Sequence, residues 1–398
     1  MKSKYGNAKL ALAVGSAVFA MSMATSASAA DVGGKDGWNV AFDGQVNSFY
    51  VTAKDSVSHV NEARIVSGWD PSKFNAHIAA PKQGGLAVTG NFQFAANVAG
   101  GVGSGVSGGT GQSGIDIRVL DINIAGDFGS IGIGRSWGIF NSQTTINEYG
   151  SGNGVGGLCS ASTLSNGGLI GGGNCGRIGY GYTWTAFSSR VEYDTPNMGG
   201  FSARVGLFDP VNPTATATNG VAPVGSNFRT TSPRLEGEVT FATKAVKVWG
   251  GMLTQKLDKG NTTGTSATIS GTDAGVNFTA GGFGITGAYT NSKGFVGGKE
   301  DFTNLNCNAA FTSCVPYKWK QAYVDASFTV GATMFGVSTG QGKQDTQKIK
   351  NNLNMVYVKH NITKQLIGNV EYDVAVNKTN SVKKLDEKHI AVGATYNF

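Results

Sequence analysis

The chain has 398 residues, a formal net charge of +7 and only 14% charged side chains. Its 61 glycines are about twice the usual share, yet prolines number only 8. With no helical periodicity, that balance excludes a helical bundle and favours closed all-β structure over disorder; so mild a charge gives no reason to expect a nucleic-acid partner.

Residues 1–29 read as a targeting segment and 30–398 as one β-domain. Lys2, Lys4 and Lys9 precede an apolar run, Leu10 to Met21, that is too short to span a bilayer. Ala27-Ser28-Ala29 is a small-residue cleavage pattern. The mature chain would start near Ala30, outside the cytoplasm, with 29 basic and 25 acidic side chains, a net +4. No later stretch approaches the ~20 apolar residues of a membrane helix.

Trp38 to Val51 is the first expected strand, and a polar link through Lys54 to Val60 follows. The second, Asn61 to Ile78, is irregular around Trp69-Asp70-Pro71. A short turn at Pro81 to Gly84 leads into Leu86 to Ala95, and a Gly/Ser-rich loop fills Asn97 to Gly114. Tight turns then fall at Asp127 to Gly129, Pro196 to Gly200, Ala242 to Lys244, Ala280 to Gly282, Val330-Gly331 and Asn361 to Lys364. Long links fall between them at 139–175, 209–232, 255–270, 291–317, 339–351 and 377–388. Eight long and seven short links imply sixteen strands, with the length asymmetry of an outer-membrane barrel.

Ser189 to Thr195 and Phe201 to Phe208 show what medium those strands need. One face reads Val191, Tyr193, Phe201, Ala203, Val205 and Leu207; the other reads Arg190, Glu192, Asp194, Ser202 and Arg204. So many charges cannot form a packed core, so one face needs water and the other an apolar medium. A 16-stranded antiparallel transmembrane β-barrel with a wet lumen meets both demands. One strand breaks parity: Ile115, Ile117 and Val119 lie on one phase, Leu120, Ile122 and Ile124 on the other, which fits either a bulge or a subunit contact. Arg177 to Trp184 reads as part of a strand. Trp38, Tyr50, Trp137, Tyr180, Tyr182, Trp184, Tyr357 and Tyr396 fall where interface girdles form, though strands are rich in aromatics anyway.

Catalytic signals are weak. Gly105 to Gly109 matches G-x-S-x-G and Gly103 to Gly108 matches G-x-G-x-x-G, but both lie in a glycine-rich loop without a strand-to-helix turn. His59, His77, His360 and His389 are scattered, none at metal-ligand spacing. Neither an enzyme nor a cofactor or metal is implied. Cys159 and Cys175 share one long loop, Cys307 and Cys314 another. An even count in an exported chain suggests two disulfides, each within its loop, with free thiols or a metal clip as alternatives.

"GDFGSIGIGRSWGIF", followed by "TINEYGSGNG", resembles the strand-turn-strand and inward-folded third loop of the general porins of the Gram-negative outer membrane. "SSRVEYDTPNMGGFSARVGLF" is similar to their next hairpin, "MVYVKHNITKQLIGNVEYDV" to their penultimate one, and the chain closes on "AVGATYNF". Strand parity places Arg64, Arg118 and Arg177 in the lumen. The resemblance gives them the role of the basic cluster at the pore constriction; otherwise they are solvated wall charges. It also gives Glu148, in Asn147-Glu148-Tyr149-Gly150, the role of the facing acid. Two departures stand out: Asn147 replaces the family's proline, and a second acid found in some members falls near Thr144.

The expected function is passive diffusion of small hydrophilic solutes and ions, with a preference for inorganic anions, through a homotrimer embedded in outer-membrane lipids. The trimer is implied by the resemblance alone. A channel selective for one anion or organic acid, or an adhesin or receptor barrel, are the alternatives.

Overall fold

The computed structural model describes residues 30–59, 61–96, 98, 115–157, 176–210, 214–217, 228–259, 266–296, 299–307 and 314–398. Sixteen antiparallel strands close into a barrel. The first eight are β1 (Asn39–Asp55), β2 (in two segments, Asn61–Val66 and Ser72–Ala79), β3 (Ala87–Ala96), β4 (Asp116–Gly126), β5 (Gly129–Trp137), β6 (Phe187–Asp194), β7 (Phe201–Phe208) and β8 (Arg234–Ala242). The second eight are β9 (Val246–Lys259), β10 (Ala267–Ala280), β11 (Phe283–Lys293), β12 (Lys318–Val330), β13 (Thr333–Gln344), β14 (Ile349–Asn361), β15 (Leu366–Thr379) and β16 (Val382–Asn397). β1 closes the ring on β16, from Gln45 opposite Asn397 to Asp55 opposite Glu387. Gly44 and Phe398 exchange two backbone bonds at the seam, of 3.0 and 3.1 Å. Closure leaves no unpaired ladder edge, which a strand in lipid requires.

The outward phase is the apolar one. Val191, Phe201, Val205 and Leu207 are each about half exposed, whereas Glu192 on the opposite phase is buried inside the ring. No helix among the described residues is long and apolar enough to cross a membrane; here the strands cross.

Several boundaries differ from the sequence reading. The links expected at 255–270, 339–351 and 377–388 shorten because the strands run on past the membrane band, with β15 ending at Thr379 and β16 starting at Val382. The parity break in β4 is a bulge: Gln93 pairs with Val119 but Phe94 pairs with Ile117, so Arg118 is the extra residue. Ile117 and Leu120 therefore both face outward. The irregular stretch in β2 also has a cause. Asn47 accepts from the Gly68 N–H and donates to the Asp70 carbonyl, which turns Trp69 inward, where its backbone N–H reaches the Gly154 carbonyl at 3.0 Å.

Arg177 to Trp184 is not a barrel strand. It is irregular chain lying inside the ring, so both of its faces are buried and its alternation says nothing about lipid. Tyr180, Tyr182, Trp184 and Tyr357 are accordingly interior, and Trp137 packs on Trp184 and Phe187. Trp38, Tyr50 and Tyr396 remain about half exposed on the outer face. Residues 1–29, Cys159 and Cys175 lie outside the described residues. Cys307 and Cys314 stand opposite each other where Lys299–Cys307 pairs with Cys314–Pro316.

Candidate functional site

After β5 the chain turns in against the inner wall. Residues 138–157 include one short helix, α1 (Ser142–Ile146). The wall holds this segment by its backbone. Glu236 of β8 accepts from the Ile139 and Phe140 N–H groups at 2.7 and 2.8 Å. Asp273 of β10 accepts from the Asn141 N–H and, at 2.7 Å, from the Thr144 hydroxyl. Asp325 of β12 takes the Gly150 N–H at 3.0 Å. Glu371 of β15 takes the Val155 and Gly156 N–H groups, both at 2.8 Å. Lys359 of β14 answers them, donating to the carbonyls of Tyr149, Gly150 and Gly152. Each is a charge-assisted bond, and bonds to charged groups contribute about 1.5–3 kcal/mol. Glycine is required at 154: a Cβ there would lie 2.1 Å from Glu371 Oε1.

Apolar contacts complete this side. Phe140 packs with Leu253, Leu257, Ile269, Phe295 and Leu305, and Val155 with Phe49, Val51 and Val66. Thr144 also explains the absent second acid. Its hydroxyl faces Asp273, and a carboxylate in its place would meet another carboxylate in a dry site.

The four residues expected at the constriction separate. Arg177 does not face Glu148 across a gap: Nε donates to Glu148 Oε1 at 2.6 Å, and both side chains are fully buried. Nη2 donates to Ser338 Oγ at 2.6 Å and Nη1 to the Leu353 carbonyl at 3.2 Å. The two charges cancel at contact, so this pair sets up no field across an open lumen. Burial pushes the Tyr149 and Tyr182 phenols above their ordinary range, so both stay neutral. Arg118 is buried at the bulge, bonded to Asp116 at 2.9 Å, with its guanidinium 5.3 Å from the Phe187 ring centroid. Arg64 is exposed, opposite Val51 and on the phase of buried Val66, hence on the inner face.

The wetter wall runs from β1 to β9. Side chains link there into a belt: Asp43 to His77 at 3.1 Å, His77 to Asn91 at 2.9 Å, and Asn91 to Asp121 at 2.9 Å. Arg190 reaches back over β5 to Asp121 at 3.3 Å and pairs with Glu192 at 2.5 Å. Gly132 of β5 leaves room for that crossing, since a Cβ would lie 3.1 Å from Arg190 Nη2. Arg204 pairs with Glu238 at 2.9 Å and Glu192 at 3.8 Å, and bonds Ser142 Oγ on α1. Lys247 donates to Asn147 Oδ1 at 3.3 Å. Arg204 stands in front of its acids. Arg204 is 16% exposed against 3% and 2% for Glu192 and Glu238.

The charged phase with Arg190, Glu192 and Arg204 was visible in the sequence; its role opposite α1 was not. Lys247 gave no signal beyond alternation with Val246 and Val248. Among the described residues no group of three or more His, Cys, Asp or Glu side chains could hold a metal ion.

A closed antiparallel barrel, apolar outside and charged inside, with a chain segment bonded to its inner wall, has the build of a membrane-spanning channel. The chain belongs to the Gram-negative porin family, whose sequence model matches residues 13–398. It resides in the bacterial outer membrane and is a channel, not an enzyme. No curated protein matches the sequence. Among solved structures, an anion-selective porin from Comamonas acidovorans shares 17% identity at a TM-score of 0.65, covering 91% of this chain and 100% of that one. The outer membrane channel DcaP of Acinetobacter baumannii shares 13% at 0.67, covering 92% and 99%. The trimer form of OmpT, an outer membrane protein of Vibrio cholerae, shares 17% at 0.56, covering 91% and 100%.

Proposed function

We propose that this porin passes small hydrophilic solutes and inorganic ions by diffusion, with moderate anion preference. The path runs between α1 and the wall of β1 to β9, and segment 138–157 is its constriction. The observation that carries the preference is the exposure order: Arg204 and half-buried Lys247 meet the lumen ahead of Glu192 and Glu238. Arginine stays charged at any working pH, and a confined space screens incompletely, with a Debye length of ~10 Å at 0.1 M salt. Anions are therefore concentrated over cations. In this reading Arg64 adds to the cationic inner face, while Arg118, Arg177 and Glu148 shape the constriction from behind without facing the solute.

Residues 1–29 are removed on export, the working form is a homotrimer, and Cys307–Cys314 and Cys159–Cys175 are bridged. Liposome swelling tests the channel. Uncharged sugars should enter at rates that fall steeply with size, and liposomes that stay sugar-tight would refute diffusion. Chloride should permeate ahead of potassium in the same preparation; potassium ahead of chloride would refute the preference. The oligomer should run as a trimer in native mass spectrometry.

A further inference from the structure

At the end of the barrel where the long links leave, the strands β12 to β15 carry a row of like charge. Lys320 of β12 stands opposite Lys343 of β13, Lys343 opposite Lys350 of β14, and Lys350 opposite Lys378 of β15. The row lies on the outward phase, since the neighbours Trp319, Gln344 and Asn351 are buried inside. Lys320, Lys343 and Lys350 are exposed and Lys378 is half-buried. Adjacent strands are ~4.8 Å apart, so the four ammonium groups span about 14 Å. A second opposed pair, Lys293 and Lys318, lies one row further out. Like charges at directly opposed positions repel. Among the described residues no ion pair engages any of the four. Asp345, in the next link, pairs with none of them, and Asp386 is taken by Lys383 at 2.6 Å. Such a row costs the fold stability unless an anion lies along it.

The row stands clear of the lipid. On β13 and β14 the last apolar outward residues are Val337 and Val356, which face each other. From Val356 to Lys350 the strand climbs about 20 Å, or about 15 Å along the membrane normal at the usual tilt. The headgroup layer is only ~5–8 Å deep. The two rows between are neutral and polar on these strands: Gln341 stands opposite Asn352, and Thr339 opposite Asn354. The Thr339 hydroxyl donates to Asn354 Oδ1 at 2.8 Å on the exposed surface. Amides and a hydroxyl beneath ammonium groups suit a polymer that carries both hydroxyls and anions. From β12 to β15 none of the three rows holds an aromatic side chain, so nucleic-acid bases find nothing to stack on.

We propose that this face binds a linear sulfated polysaccharide, with sulfates against Lys320, Lys343, Lys350 and Lys378 and sugar hydroxyls against Gln341 and Asn352. The sulfates relieve the repulsion with charge-assisted bonds, and a flexible chain matches its charges to a spacing of ~5 Å. This is a surface-binding function separate from conduction, because the row is on the outside of the wall.

The test uses the full mature protein in detergent, with a heparin-type polysaccharide as probe and its fully desulfated form as comparison. Surface plasmon resonance should show binding of the sulfated chain that weakens steeply as salt rises. Kd should rise about tenfold in Lys320→Gln/Lys343→Gln/Lys350→Gln/Lys378→Gln. The same charge removed at the opposite end, in Lys35→Gln/Lys82→Gln/Lys244→Gln/Lys364→Gln, should leave Kd unchanged. The polymer should also protect the four lysines of the wild type from amine acetylation. Equal binding of the desulfated chain overturns the proposal, as does a loss in the first variant no greater than in the second. Protection of the four lysines before any polymer is added also overturns it, and native mass spectrometry then assigns their cover to a bound lipid or to a second copy of the chain.

Discussion

The inner wall has two sectors that use the same side chains for opposite ends. Glu236 of β8 and Asp273, Asp325 and Glu371 from β10 to β15 are dry and grip the backbone amides of 139–156. From β6 to β8, Glu192 and Glu238 sit behind Arg204, which reaches water. A carboxylate whose partner is a backbone N–H fixes where the chain runs. A carboxylate whose partner is a more exposed guanidinium tunes what the lumen presents to an ion. Charge alone therefore does not identify a selectivity residue; its partner and its water do.

The sharpest way to break this contrast is to open the dry sector. Arg177→Leu strands Glu148 in a fully buried site, and breaking such a pair costs about 3–5 kcal/mol. The barrel should lose its heat resistance on SDS gels at a markedly lower temperature. The double change Arg177→Leu/Glu148→Leu should recover most of that loss. Wild-type melting of the single variant would mean that the pair is wet.

Next in size is the grip of Glu371. Glu371→Ala frees the Val155 and Gly156 amides, a loss of about 3 kcal/mol from bonds to a charged group. Segment 138–157 should then fluctuate, raising single-channel conductance and adding flicker. Gly154→Ala should act in the same direction, by displacing the Glu371 carboxylate. Quiet traces of wild-type conductance in both variants would show that the segment is held by other means.

A smaller effect sharpens the contrast from the other side. Arg118 is buried against Asp116 and the Phe187 ring, so Arg118→Gln should move the zero-current potential much less than Lys247→Gln does. The reverse order would return Arg118 to the ion path. Smallest of all, Cys314→Ser should leave selectivity unchanged, because it sits among the outer links rather than at α1. Non-reducing peptide mapping of the wild type should join Cys307 to Cys314, and a link from Cys159 to Cys314 would contradict the in-loop pairing.

Much of the barrel was legible from the sequence because a strand in lipid has a strict two-residue period. Val191 to Leu207 and their charged opposites gave the two media directly, and the alternation of link lengths gave the strand count. The parity break at Ile117 to Leu120 was visible too, although only the register with Gln93 and Phe94 shows it to be a bulge. The path of 138–157 was hidden for a physical reason. Its wall contacts go mostly to backbone N–H groups, which every residue but proline carries, so Glu236, Asp273, Asp325 and Glu371 left no motif. Tyr180, Tyr182 and Trp184 alternate with small residues as a strand would, yet they are buried on all sides. Glu148 and Arg177 were both singled out from the sequence, but as charges facing each other across a gap; their direct contact depends on a chain path that parity cannot supply.

The central claim is that ion preference resides in the wet sector. Zero-current potentials in a KCl gradient across a planar bilayer, for the wild type and for Lys247→Glu, test it most directly. The wild type should favour chloride, and Lys247→Glu should shift the potential toward potassium. A wild type that favours potassium, or a Lys247→Glu channel with unaltered potential, would contradict it.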